Sequence, residues 1–315
     1  FFRHYLKGYE GLHVAKKVSP CTKIGEECGL SMLPDGVAVF YKSKVFKRIF
    51  HRLFDDKSVT RISYIFKISF VFFFFFDIKL EERCKVVDVP AVLVHLQWVQ
   101  SKSSGTNEFI VVGTHLKSAK DMEGEAHRLK QTHYLATEIS SYQQKVEQDG
   151  RQVPVFIGVF LFYSLCVNSL NSNILHCLRK CVLTKDTKGF PPLTYASITD
   201  DGLFKNMLKE YKEKNSSAAR VVIDLDNYQK AYDKLRFYSA YKGFYGSEPK
   251  YTTWKKRQGG EDKHTIDYLF FQHLKGVGVS SILEIPEEKA VNHDSLLPGW
   301  EYPSDHFAIM AEFEF

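Results

Sequence analysis

The sequence predicts an α/β fold, and three observations predict it. Six short runs rich in Val, Ile, Phe and Tyr are bounded by turn residues, one long segment between the third and fourth of them has helical spacing, and acidic or imidazole side chains recur at the ends of the runs. Periodicity by itself fixes nothing finer than α/β.

The predicted strands, in order, are "DGVAVFYK" (35–42), "VPAVLVHLQW" (89–98), "EFIVVGTHL" (108–116), "TIDYLFF" (265–271), "GVGVSSILEI" (276–285) and "HFAIMAEFEF" (306–315). The predicted helix is "DMEGEAHRLKQTHYLATEISSYQQKVEQ" (121–148), with Ala126, Leu129, Tyr134, Leu135 and Ile139 near helical spacing. Thr114 and His115 close the third strand, Asp267 opens the fourth, and Asp305 and His306 open the last. Strand ends are where loops present chemistry on a rigid scaffold.

At 315 residues with 44% apolar content the chain can bury one large core or two small ones. The formal charge of +6, from 43 basic and 37 acidic residues, suits a polyanionic substrate and equally suits ordinary solubility. Cys21, Cys28, Cys84, Cys166, Cys177 and Cys181 form no CxxC pair and no zinc-finger spacing, so a structural zinc site and a disulfide scaffold are not indicated. A reducing compartment is expected on that ground, with a cytoplasmic location, or a mitochondrial one if a preceding segment carries targeting. No signal-peptide pattern is present after Phe1, and the chain is expected to begin inside a longer protein.

Two segments break the pattern. Residues 61–80 hold five consecutive phenylalanines with Lys67 inside the apolar run, which is too short and too charged for a membrane-spanning helix. Residues 155–183 pass from a short apolar run into a Ser, Asn and Cys-rich stretch without strand or helix period. We read 48–80 and 158–187 as non-native insertions, with translated non-coding sequence as their source and a natural insertion as the alternative.

Hydrolysis of a phosphoester at neutral pH calls for a divalent metal held by carboxylates, a base for water and donors for the phosphate oxygens. Asp, His and Asn side chains on strand-end loops supply such groups, although a lone Asp-His dipeptide is more often a solvated turn. Order adds what any single pair lacks. "VSPC" (18–21), "PDGVAVFYK" (34–42), "VVGTHLKS" (111–118), "SEPKYTTWKKRQGGEDKHTIDYLFF" (247–271) and "LLPGWEYPSDHFAIMAEFEF" (296–315) occur in sequence. In these pieces the chain resembles the endonuclease/exonuclease/phosphatase superfamily, and within it the nocturnin and carbon-catabolite-repressor deadenylase group. Angel proteins and 2′,5′-phosphodiesterases share much of the pattern.

The resemblance implies a single domain over 1–315, incomplete at its N-terminus, with a four-layer α/β sandwich of two mostly antiparallel sheets flanked by helices. It implies Mg²⁺ as cofactor and a nucleotide or RNA substrate, either the 2′-phosphate of NADP(H) or the 3′ end of poly(A), with no DNA and no membrane partner. Residue by residue, His115 corresponds to the phosphate-contacting histidine, Asp267 to the carboxylate that positions water or the histidine network, and Asp305 with His306 to the terminal catalytic pair. Asp305 would then orient the imidazole, and His306 would act as base or metal-shell ligand. Lys117, Trp254 and Lys255 are candidate substrate-binding residues, Trp254 by stacking, with core packing as its alternative.

Two departures stand beside these matches. The family's metal-binding Glu, in an LQEVD-type strand, has no counterpart in residues 1–10, and its GDFN motif is replaced after "VPVFIG" (153–158) by "VFLFYS" (159–164). With those carboxylates missing Mg²⁺ has too few hard oxygen ligands. The chain as written is therefore expected to be impaired, and a catalytically dead nucleotide- or RNA-binding relative is the competing reading.

Overall fold

The computed structural model describes residues 6–16, 20–29, 36–54, 90–99, 107–116, 122–147, 150–159, 193–199, 204–206, 209, 235–257, 260–291, 297–299, 302 and 304–314. The strands are β1 (Tyr9–Ala15), β2 (Gly36–Lys42), β3 (Phe46–Phe54), β4 (Ala91–Trp98), β5 (Glu108–Thr114), β6 (Val155–Val159), β7 (Phe237–Ser239), β8 (Thr253–Arg257), β9 (Gly260–His264), β10 (Tyr268–Gln272), β11 (Gly278–Ile282) and β12 (Ala311–Glu314). The helices are α1 (Pro20–Glu27), α2 (Met122–Val146), α3 (Leu193–Thr199), α4 (Ala240–Tyr245) and α5 (Glu288–Val291).

A six-stranded sheet of order β3-β4-β5-β6-β10-β7 is the frame. All its neighbours pair antiparallel except β5 and β6, which run parallel. A parallel pair needs a long crossover, and α2 lies in that connection.

Alternation along each strand divides two cores. Ile110 and Val112 of β5, Val155, Ile157 and Val159 of β6, and Tyr268 and Phe270 of β10 face one core with Leu129, Leu135 and Ile139 of α2 and Tyr195 of α3. Phe109 and Val111, Phe156, and Leu269 and Phe271 face the other, with Val37, Val39 and Tyr41 of β2 and Ala311 and Phe313 of β12. Each large apolar side chain so buried contributes about 1.5–3 kcal/mol. The predicted α/β class is thus observed as α2 and α3 on one face of the sheet and a strand layer, with α4, on the other. The opposing strand layer consists of two hairpins, β1–β2 and β11–β12, among the described residues.

Gly113 permits the close approach of these layers, since a Cβ there would sit 3.1 Å from side-chain atoms of both Val37 and Val39. The observed helix matches the predicted one within two residues at each end, with Ala126, Leu129, Leu135 and Ile139 buried and Tyr134 half-buried. Residues 48–54, read as the start of an insertion, instead form most of β3 and pair with β4, while residues 158–159 end β6. The rest of both segments lies outside the described residues. The last strand begins at Ala311, five residues later than predicted, and residues 305–307 pair instead with the start of β8.

Candidate active site

One edge of the sheet gathers the chemistry. Thr114, at the C-terminal end of β5, is in register with Val159 at the end of β6, and Val159 with Tyr268 at the start of β10. His115 and Asp267 therefore flank the end of β6, two strand spacings apart, or about 10 Å. The His115 N–H donates to the Pro90 carbonyl at 3.2 Å, and the Thr114 hydroxyl donates to the same carbonyl at 3.3 Å, which fixes the strand end. His115 is buried.

The segment bearing Asp305 and His306 is held against the first residues of β8 by backbone pairing. Trp254 N–H donates to the Asp305 carbonyl at 2.8 Å, Phe307 N–H donates to the Thr252 carbonyl at 2.9 Å, and Thr253 forms an antiparallel bridge with His306. His306 N–H donates to the Ser304 hydroxyl at 3.0 Å, a local turn of the kind serine favours. Phe307 packs with Tyr251, Trp254, Val291 and Leu297, and Ile309 enters the sheet core, so apolar anchors on the C-terminal side hold the imidazole in place.

That pairing brings His306 Nδ1 to 3.2 Å from Asp267 Oδ2, with the Asp267 side chain fully buried. Asp305 Oδ1 lies 3.9 Å from His306 Nε2, beyond hydrogen-bond range, and Asp305 Oδ2 lies 3.4 Å from Lys255 Nζ. Asp267, expected in the histidine network, is therefore the carboxylate within reach of the imidazole, while Asp305, expected to orient it, pairs with half-exposed Lys255.

Of the two readings of Trp254, its burial favours core packing. The indole is 1% exposed, and both Lys256 and Lys263 place their ammonium groups over its ring, at 4.9 and 3.9 Å from the centroid. A ring enclosed in this way has no free face for a base, so Trp254 is a packing residue. Lys255 is 43% exposed and available to an anion. Lys117 lies outside the described residues.

Thr252 belongs to the "YTTW" motif but is not a candidate that sequence reasoning singles out. Its hydroxyl accepts the N–H groups of Ile266, at 3.0 Å, and Asp267, at 3.1 Å. No spacing rule announces a contact between residues 15 positions apart on either side of a hairpin. The loop before it is anchored too, since the Glu248 carboxylate accepts the Tyr195 hydroxyl and burial pushes the Glu248 carboxyl above its usual range. A groove of about 590 Å³ beside this loop is lined by Tyr241, Tyr245, Glu248, Tyr251, Glu284 and Glu288 among others, and by none of His115, Asp267, Asp305 or His306.

The edge also carries the departure noted in the sequence. Val159, 1% exposed in the helix-side core, succeeds Gly158 where the resemblance calls for the Asp of GDFN. Among the described residues no group of three His, Cys, Asp or Glu side chains is arranged to hold a metal ion. The described residues therefore do not fit a complete Mg²⁺ site. Among the described residues, too, no helix is long and apolar enough to cross a membrane, while the phenylalanine run lies outside them.

No family model matches the chain. Nocturnin of Rattus norvegicus is 41% identical over 69 residues, which is 22% of this chain and 16% of that protein. Carbon catabolite repressor protein 4 homolog 1 of Arabidopsis thaliana is 41% identical over 49 residues, 16% of this chain and 8% of that protein. The matched stretches thus span a small part of these relatives. Among solved structures, ANGEL2, a 2′,3′-cyclic phosphatase, superposes with a TM-score of 0.55 at 18% identity, covering 99% of this chain and 76% of that one. The human nocturnin catalytic domain with bound sulfate superposes with a TM-score of 0.50 at 20% identity, covering 99% and 75%. The chain thus shares the fold of ANGEL2 and of the nocturnin catalytic domain, and over short stretches its sequence is similar to nocturnin and to carbon catabolite repressor protein 4 homolog 1.

Proposed function

We propose that this protein is a phosphoesterase whose substrate carries a phosphoester on the ribose 2′ or 3′ oxygen of an adenosine nucleotide. The observation that carries the reading is the Asp267–His306 pair, 3.2 Å apart at the sheet edge where the shared motifs converge. The 2′-phosphate of NADP(H), the 3′ end of poly(A) and the cyclic phosphate named for ANGEL2 share that chemistry, and ANGEL2 is also known in complex with adenosine-2′,3′-vanadate.

Asp267 accepts the Nδ1 proton of His306 and so leaves Nε2 as the basic nitrogen. Nε2 takes a proton from the water that attacks phosphorus, the P–O bond to ribose breaks, and the ribose oxygen leaves as a hydroxyl by taking a proton from solvent, to which the imidazolium returns its own. His115 and Lys255 offer positive or hydrogen-bonding groups to the phosphoryl oxygens. Mg²⁺ belongs to this reading as an expectation of the resemblance, although the described donors do not complete a site for it.

A second reading, a relative that binds the nucleotide without turnover, draws on one observation, the buried Val159 at the strand end where a carboxylate is called for. Single-turnover assays with protein in excess over NADPH, a short oligo(A) and adenosine 2′,3′-cyclic phosphate separate the two. Release of phosphate or AMP, or ring opening of the cyclic phosphate, supports hydrolysis, while saturable binding of these nucleotides with no product supports the second reading.

A further inference from the structure

We infer that Thr252 is the positioning residue of the site, holding the Asp267–His306 pair in register through a single side-chain oxygen. Thr252 is fully buried and touches each segment that carries the pair. Its N–H donates to the His264 carbonyl at 2.8 Å, at the start of the segment leading to Asp267. Its carbonyl accepts the Phe307 N–H at 2.9 Å, directly after His306. Its hydroxyl oxygen accepts two successive N–H groups, those of Ile266 and Asp267, at 3.0 and 3.1 Å.

The backbone contacts would survive most substitutions. The hydroxyl contacts would not, and they act where the chain passes from β9 into β10. Residues 265–267 lie between those strands, and the N–H of Asp267 has the Thr252 oxygen as acceptor. Buried N–H groups at such a turn must be met by a side chain or by water. One oxygen accepting both fixes the direction in which the Asp267 side chain leaves the backbone, and with it the 3.2 Å contact to His306. Valine has nearly the shape of threonine but no acceptor, so the segment would have to shift to resolvate two amides.

The catalytic part of this inference rests on the hydrolase reading, whereas the structural part does not, and the experiment keeps them apart. Thr252→Val and Thr252→Ser are compared with the wild type by amide hydrogen exchange at Ile266 and Asp267 and by single-turnover hydrolysis of the substrate that the wild type accepts. Misplacing a catalytic pair by about 1 Å costs about 10²-fold in rate. The expected result is faster exchange at both amides in Thr252→Val, with a rate constant lower by about 10²-fold at unchanged half-saturation. Thr252→Ser, which keeps the acceptor, restores both. Wild-type exchange and wild-type rate in Thr252→Val overturn the inference. If the wild type yields no product, the hydrolase reading falls and the amide exchange alone decides the role of Thr252. If Thr252→Val does not fold, rapid exchange of the two amides in the folded wild type overturns the inference, and protected amides in both wild type and Thr252→Ser support it.

Discussion

Asp267 Oδ2 meets His306 Nδ1 at 3.2 Å although 39 residues separate them in the chain. The contact depends on two pairings, β10 within the six-stranded sheet and residues 305–307 along β8, and neither carboxylate nor imidazole has freedom to find the other without them. A histidine ring held in this way has a defined tautomer, which general-base chemistry requires.

Lys255 should act on ligand affinity and leave stability nearly untouched. Its pair with Asp305 is half-exposed, and such pairs contribute about 0–1 kcal/mol. Lys255→Ala is expected to keep the denaturation midpoint within that margin while raising half-saturation for a nucleotide phosphate, most clearly at low salt. Equilibrium titration with adenosine 2′-monophosphate at two ionic strengths measures this.

Trp254 should do the reverse. Removing a fully buried indole that packs with Tyr251 and Phe307 costs about 3–5 kcal/mol, so Trp254→Ala should unfold at markedly lower denaturant. Trp254→Phe, which keeps most of the packing, should bind the nucleotide as the wild type does. A large loss of affinity in a fully folded Trp254→Phe would return the indole to the ligand site.

Arg128 and Glu125 tie α2 to α3. The fully buried Arg128 guanidinium lies 2.7 Å from the Glu125 carboxylate, whose other oxygen accepts the N–H and hydroxyl of Thr194 at the start of α3. Removing one side of a buried ion pair is costly, so Glu125→Leu, which also removes the acceptor of Thr194, is expected to cost about 3–5 kcal/mol. Glu125→Leu combined with Arg128→Met should recover much of that loss, and urea denaturation of the single and double variants reports the difference.

His95 makes stability depend on pH. Burial pushes its imidazole below the usual value, against the opposing pull of Glu108, whose Oε2 is 3.3 Å from Nε2. The unfolded chain therefore binds a proton that the folded chain resists. Stability is complete above the unfolded value of about 6.5 and falls as pH drops below it. The difference in melting temperature between wild type and His95→Gln, measured from pH 7.5 to 5, should narrow or reverse toward acid, and a pH-independent difference would contradict this.

Much of the fold is legible in the sequence because its central strands are buried on both faces. β4, β5 and β10 read as continuous apolar runs, and α2 shows four core positions at helical spacing. Sequence patterning misses β6, a short buried run that opens the irregular segment 155–183, and strands that do not need to be apolar. β3 carries Lys47, Arg48, His51 and Arg52 at the sheet edge, and the β8–β9 hairpin alternates charged residues with few apolar ones. The candidate residues stand out by the order of motifs, but the side chains they meet do not. Adjacency in sequence suggests Asp305 for His306, whereas strand pairing delivers Asp267, and the burial that removes Trp254 from the ligand is a property of the packed hairpin.

The most direct test of the hydrolase reading is single-turnover hydrolysis of NADPH, oligo(A) and adenosine 2′,3′-cyclic phosphate by the wild type beside Asp267→Asn and His306→Gln. The account predicts slow but measurable product from at least one of the three in the wild type, reduced by about 10²–10⁴-fold in each variant. No product from the wild type, or equal rates in all three proteins, would contradict it.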